Sequence, residues 1–281
     1  MFLGNDHLVK DFKKLVGSDR LSHGYIFFGE NQIGKYTFAL SLANFLENKV
    51  FEVSKKTLSE SLIIKESGID SIREIKKFLW QKPVNSKKRI VIINDADTLT
   101  TEAQNAILKI TEEPPEHSLI ILIVNNTDNV LPPILSRLQK IYFSRTNKKE
   151  ISNYLVVQMG AKKDVAEKIS EIAMGRAGRA INLVKNNLSD IENAVDKFLK
   201  SSDYARSQFI KNFIEEQKEN QEIFDQFFET LIIRLLKDPV KNALMLKSVL
   251  SRLFLIKSYN VNKRLQIEAI VDMDPVRGRG H

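Results

Sequence analysis

The sequence predicts an α/β fold built on a mainly parallel sheet and followed by an all-helical C-terminal part. Three observations carry that reading. Strand-like and helix-like runs alternate through the first half of the chain. Two of the strand runs, Ile90-Val91-Ile92-Ile93 and Leu119-Ile120-Ile121-Leu122-Ile123-Val124, are unbroken apolar segments, the pattern of a sheet buried on both faces. After Phe143 the strand signals stop, and nearly everything from Glu150 onward has helical periodicity.

Taken in order, Asp6–Leu15 has helical spacing ahead of a short apolar strand, Tyr25–Phe28. Gly29-Glu-Asn-Gln-Ile-Gly34-Lys35 follows it, and helical spacing resumes over Tyr36–Leu46. This is a phosphate-binding loop without its last residue: the pattern G-x-x-x-x-G-K-[ST] needs a hydroxyl after the lysine as a Mg²⁺ ligand. Tyr36 stands there, and Thr37 comes one residue late. Gly29, Gly34 and Lys35, with the amides of the helix start, remain suited to phosphate. Weak ATP binding with no required cofactor is the expectation, against the plainer reading of a turn with a surface lysine.

Val50–Val53 reads as the next strand, Asp70–Gln81 as a helix, and Arg89–Ile93 as the strand before Asn94-Asp95-Ala96-Asp97. A working ATPase of this type places an aspartate after that strand to orient Mg²⁺. Asn94 lacks the charge, so these residues read equally as a turn cap or as a residual metal contact.

Thr101–Glu112 is the third helix after the loop. Thr101 and Gln104 fit a capping box, and Pro114-Pro115 force the stop. Glu112 and Glu113 at its C-terminus oppose the helix dipole, which points to a partner cation or a solvated end. The amides and hydroxyls around Thr100 and Thr101 suit a DNA phosphate. Leu119–Val124 and Lys140–Phe143 complete the strands, with Ser136-Arg137 between them.

Composition sets limits. A chain of 281 residues fits two or three domains, and 43% hydrophobic with 28% charged residues is ordinary for a water-soluble globular protein. Cysteine is absent and the four histidines are scattered, so neither disulfides nor a metal site is expected. No signal-peptide or bilayer-length apolar run is present, which predicts a cytoplasmic protein without a membrane partner. A net charge of +8 favours polyanionic partners. The polar stretch Ser144–Lys149 makes a linker and Lys200–Asp203 a second break, giving domains at 1–145, 146–202 and 203–281. Phe209, Phe213, Phe224, Phe227, Phe228, Leu231, Ile232 and Leu235 give the last domain more apolar surface than one helix face, as core or as interface. The final Asp274–His281 reads as a disordered tail.

The order Ser22-His23-Gly24-Tyr25…Gly29…Gly34-Lys35, Ile69-Asp70-Ser71-Ile72-Arg73, Asn105-Ala106-Ile107-Leu108-Lys109-Ile110-Thr111-Glu112-Glu113-Pro114-Pro115 and Leu131-Pro132-Pro133-Ile134-Leu135-Ser136-Arg137 resembles bacterial DNA polymerase III clamp-loader subunits of the AAA+ class. The delta-prime type matches most closely, over about residues 1–185. The resemblance implies a RecA-like AAA+ domain, a helical lid and an all-helical C-terminal collar for oligomerisation. It implies gamma/tau and delta subunits, the sliding clamp and primer–template DNA as partners. Ser136-Arg137 resembles the family's Ser-Arg-Cys motif, with Leu138 in place of cysteine. Its arginine reaches into a neighbour's ATP site, where a planar guanidinium neutralises phosphoryl charge in trans.

Other positions depart from the active members. Gly175-Arg176-Ala177-Gly178-Arg179-Ala180 puts Gly178 where the nucleotide-sensing arginine would be, Val124-Asn125-Asn126 stands at the first sensor, and Asn48–Ser61 lacks the family's four-cysteine zinc module. These departures imply a largely ATPase-inactive subunit. An active gamma/tau-type ATPase is the alternative, and a nucleic-acid-binding AAA+ protein outside the loader is a third reading.

Overall fold

A computed structural model describes residues 3–54, 57–64, 69–186, 188–216, 221–259 and 261–270. The tail expected to be disordered lies outside the described residues. The chain divides into two compact units, residues 1–181 and 182–281.

In the first unit the order is α1 (Asp6–Gly17), β1 (Gly24–Phe28), α2 (Lys35–Asn48), β2 (Ser61–Ile64), α3 (Ile69–Leu79), β3 (Arg89–Ile93), α4 (Thr101–Glu112), β4 (Ser118–Val124), α5 (Pro132–Arg137) and β5 (Gln139–Tyr142). Helices α6 (Lys148–Met159), α7 (Lys163–Ile172) and α8 (Ala177–Lys185) follow, and the division between units falls inside α8.

The five strands form one sheet in the order β2-β3-β4-β1-β5, and every neighbouring pair is parallel. Parallel strands need crossover helices, which cover both faces. The apolar runs therefore split by alternation. Ile26, Val91, Ile93, Ile120, Leu122 and Val124 pack with residues of α3, α4 and α5 on one face. Tyr25, Phe27, Ile90, Ile92, Leu119 and Ile121 pack with α1 and α2 on the other. That second face is aromatic: Phe12, Phe27 and Phe38 meet edge to face, with centroids 5.3 to 5.8 Å apart.

One sequence expectation is corrected here. Val50–Val53 forms no strand: Phe51 turns inward against Phe38 and Phe45, while Val50 and Val53 are exposed. The edge strand is Ser61–Ile64, paired with β3 alone. The Ser144–Lys149 stretch, exposed apart from Thr146, is anchored at two points. The Asn5 side chain donates to the Ser144 carbonyl and accepts from its amide, and Thr146 is buried with its N–H on the Gly175 carbonyl at 2.8 Å.

The second unit holds α9 (Leu188–Lys200), α10 (Asp203–Glu216), α11 (Gln221–Leu235), α12 (Ala243–Ser258) and α13 (Lys263–Glu268). The aromatic residues that sequence left open between core and interface are core. Phe213, Phe224, Phe227, Phe228, Leu231 and Leu235 are buried together, with Phe209 and Ile232 packed against them. Exposed large apolar residues include Leu244, Leu250 and Phe254 on α12, alongside Tyr204 on α10, Ile233 on α11 and Leu265 on α13.

Candidate phosphate loop and arginine site

Gly29 ends β1 with φ at +140°, and a Cβ there would lie 2.6 Å from the Phe143 carbonyl oxygen. Only glycine fits both demands. The loop then turns through Gln32, itself left-handed, to Gly34, which precedes α2. Lys35 opens that helix and is buried, with 5% of its surface exposed. Its Nζ donates to the Gly29 carbonyl, to the Glu30 carbonyl at 2.9 Å and to Asn125 Oδ1 at 3.0 Å. Burial lowers its pKa to about 8, while the carboxylates of Asp97, Asp95 and Glu30 pull the other way. The ammonium that would meet a phosphate is thus satisfied by the loop and by Asn125.

The neighbouring groups follow the same pattern. Tyr36 packs against the aromatic face of the sheet, and burial raises its phenol pKa. The Asn94 amide donates to Asp95 Oδ2 at 2.7 Å, while Asp97 Oδ2 accepts the Asn125 N–H at 3.0 Å. The Asp95 carboxyl is raised by burial and by the charge of Asp97, with Lys35 opposing. These residues lack two of the contacts that a Mg²⁺–triphosphate would use. The hydroxyl after Lys35 and the carboxylate at position 94 are missing, and the lysine faces its own backbone.

The loop is also closed from the helical side. The Gly178 N–H donates to the Gln32 carbonyl at 2.7 Å, and a Cβ at Gly178 would lie 2.8 Å from that oxygen. Arg145 forms a salt bridge to Glu30, Nη2 to Oε1 at 2.7 Å. Arg179, beside Gly178, is buried.

The second group of candidates lies across the sheet. Thr100, not Thr101, is the N-cap of α4, its side chain accepting from the Ala103 N–H at 3.3 Å. The capping box read from Thr101 and Gln104 is therefore one residue out of register. Thr101 is the first helical residue. The Glu102 carboxylate accepts from its own backbone N–H and from the Thr100 hydroxyl, which holds it below the usual carboxylate range. An anion at this turn has to compete with that carboxylate. Gln104 instead runs inward, 5% exposed. Its Nε2 donates to the Leu99 carbonyl at 3.3 Å and the Asn129 carbonyl at 2.9 Å, and its Oε1 accepts the Leu131 N–H at 2.8 Å. Gln104 therefore ties the start of α4 to the segment that launches α5.

Arg137 is the last residue of α5. Its Nη1 donates to the Pro133 carbonyl at 3.0 Å, and its Nη2 lies 3.2 Å from Glu112 Oε1. Ser136 Oγ donates to the same Pro133 carbonyl at 2.9 Å. Glu112 thus has the cation that its place at a helix C-terminus called for. Gly29, Gly34 and Lys35 come together, as do Ser136 and Arg137, but α2 and α5 pack on opposite faces of the sheet. Sequence reasoning missed Gln104, whose spacing was read as a cap, and the Glu30–Arg145 pair, which is distant in sequence. Among the described residues no three His, Cys, Asp or Glu side chains are grouped to hold a metal, and no helix is long and apolar enough to cross a membrane.

Residues 4–147 match the family model described as DNA polymerase III, delta subunit, which spans half of the chain. The chain belongs to that family. Curated relatives of this delta-subunit family member include DNA polymerase III subunit gamma/tau of Mycoplasma genitalium, 28% identical over 218 residues, covering 68% of this chain and 36% of the relative. Replication factor C small subunit 2 of Pyrobaculum aerophilum is 32% identical over 180 residues, covering 62% and 55%. The chain thus spans little more than a third of the gamma/tau protein. Among solved structures, a DNA polymerase III gamma subunit-related protein of Thermotoga maritima has the same fold, with a TM-score of 0.59, 20% identity and coverage of 92% of this chain and 97% of that one.

Proposed function

We propose that the chain is a delta-prime-like subunit of a bacterial DNA polymerase III clamp loader. It is largely silent as an ATPase and presents Arg137 to the ATP site of a neighbouring subunit. The observation that carries this reading is the state of Lys35: its ammonium is held by Gly29, Glu30 and Asn125 in a loop whose Mg²⁺-ligating positions are Tyr36 and Asn94. The exposed guanidinium of Arg137, on the opposite face of the sheet, suits action in trans rather than on the chain's own loop.

In this reading residues 1–145 are the AAA+ domain, 146–202 the lid and 203–281 the collar. Gamma/tau and delta subunits are the partners, with the sliding clamp and primer–template DNA engaged by the assembly. Thr100 and Thr101 contact a DNA phosphate. An open apolar groove of about 720 Å³ on α12, lined by Ala243, Leu246, Leu250 and Phe254 among others, supports the collar assignment. The kinship with gamma/tau subunits favours a second reading, an active loader ATPase.

Steady-state turnover of the purified chain, with and without DNA, separates the two. Background turnover together with stable incorporation into a complex of gamma/tau and delta subunits is expected. Robust hydrolysis abolished by Lys35→Ala would install the second reading. A truncation ending at Ser202 that still joined the complex with full affinity would remove the collar assignment.

A further inference from the structure

The segment joining α3 to β3 is built as a surface and has no role in the site above. From Lys76 to Asn94 the chain carries Lys or Arg at six positions and Asp or Glu at none. Trp80, the chain's only tryptophan, stands 47% exposed at the end of α3, and Val84 is 82% exposed. Large apolar side chains on a surface loop are commonly the sign of a floppy segment, but this loop is pinned. Glu60, whose side chain is only 3% exposed, accepts the N–H groups of Val84 at 2.7 Å and Asn85 at 3.0 Å through Oε1, and its Oε2 lies 3.4 Å from Arg89 Nε. Arg89 stacks on Phe78, 4.6 Å from the ring centroid, and His117 Nε2 sits 3.1 Å and 3.0 Å from the carbonyls of Leu79 and Gln81. A buried carboxylate and a ring nitrogen thus fix the backbone while the aromatic ring faces solvent.

We propose that this loop is a binding site for single-stranded nucleic acid, with Trp80 as the stacking platform for a base and Lys76, Lys77 and Lys82 as phosphate contacts. Lys76 Nζ already lies over the Trp80 ring at 5.4 Å, so charge and stacking surface coincide. Lys77 and Lys82 are exposed and have no side-chain partner among the described residues. Lys87 is committed to Asp19 at 3.5 Å and Lys88 to the Glu116 carbonyl at 2.6 Å. An exposed aromatic ring among unpaired cations is the arrangement that holds a strand without reading its sequence, because every base has a stacking face. The site is separate from Thr100 and Thr101: in a parallel sheet the loop entering β3 and the loop leaving it lie at opposite ends of the strand. It also stands independently of whether the phosphate loop works.

The lone tryptophan makes the test direct. Oligodeoxythymidine added to the full chain is expected to quench tryptophan emission in step with the anisotropy of the labelled strand, whereas a duplex of equal length leaves emission unchanged. Trp80→Ala should weaken strand binding about tenfold, within the range for losing one stacked base, and Trp80→Phe should fall between the two. Lys77→Glu with Lys82→Glu should reduce the salt slope by about 1–2, given roughly 0.7 per phosphate contact on single strands. Circular dichroism melts of each variant confirm that the fold is intact. Binding with unchanged emission, or unchanged affinity in both Trp80→Ala and the lysine variant, would overturn the proposal. So would displacement of the strand by polyglutamate at equal charge, which would assign the surface to an acidic protein segment.

Discussion

Arg137 Nη2 lies 3.2 Å from Glu112 Oε1, joining the last residue of α5 to the last residue of α4, with both side chains more than a third exposed. A pair so open to solvent is worth little, about 0.2–1 kcal/mol. It holds the guanidinium in place without locking it there. Glu112→Gln and Arg137→Ala are each expected to change folding stability by less than about 1 kcal/mol. In a reconstituted loader at matched stoichiometry the two should diverge. Arg137→Ala should lower DNA- and clamp-stimulated turnover at the adjoining site by something on the order of 10³, leaving the other sites active. Arg137→Lys should rescue poorly because an ammonium lacks the planar fork. Equal turnover for wild type and Arg137→Ala would make Arg137 an ordinary surface residue.

Lys35 gives a pH dependence with a definite sign. Its ordinary pKa of 10.5 is lowered to about 8 by burial. Between those values the unfolded chain keeps the proton that the folded chain has released. More protons on the unfolded side mean that the Lys35 contribution to stability rises with pH across that window and is flat below it. Urea unfolding of the wild type and Lys35→Met from pH 7 to 10 isolates this term from the other lysines. The wild-type curve should gain on the variant as pH rises above 8, and parallel curves would contradict the burial of a charged Lys35.

Gly178 is a test of how tightly the helical segment closes the phosphate loop. At an ordinary helix position Gly→Ala stabilises by about 1 kcal/mol. Here the new Cβ would sit 2.8 Å from the Gln32 carbonyl oxygen, a backbone atom that cannot swing away. Gly178→Ala is therefore expected to destabilise, by about 1–3 kcal/mol as for other overpacked sites. Hydrogen exchange should speed up at Gly29–Lys35, where α8 no longer seats. A stabilised variant with unchanged exchange would show that the contact is slack.

The parallel sheet was legible because β4 is buried throughout and β1 and β3 at all but one position each, and burial on both faces leaves an unbroken apolar run in the sequence. β2 escaped notice because it is short. At four residues the strand, with its apolar run Leu62-Ile63-Ile64, is too short for periodicity to separate strand from loop or helix, whereas Val50–Val53 looked like a strand only because Phe51 anchors a loop. The phosphate loop could be read because its chemistry is contiguous from Gly29 to Lys35. What closes it could not: Asn125, Arg145 and Gly178 arrive from distant segments, and one sequence carries no signal of their meeting.

Gln104 was read as part of a cap and proves to be a brace. Its amide is buried and makes hydrogen bonds to Leu99, Asn129 and Leu131, so both ends of the side chain are satisfied. Gln104→Ala would leave the Leu131 N–H and the Asn129 carbonyl without this partner inside the protein, at a cost of about 1–3 kcal/mol for each buried group left unpaired. Leu131 immediately precedes α5, so the loss is expected to reach beyond stability to the placement of Arg137. Gln104→Glu is the sharper variant. It keeps the acceptor for Leu131 and removes the donor to Asn129 and Leu99, placing a carboxylate beside two carbonyl oxygens. It should therefore be the less stable of the two at pH 7 and recover part of the difference at acid pH, when the carboxyl regains a proton to donate. Thermal melts at pH 5 and 7, paired with stimulated turnover in the reconstituted loader, check both halves. Full Arg137-dependent turnover in Gln104→Ala at a temperature where the variant is folded would confine Gln104 to stability and detach it from the positioning of Arg137.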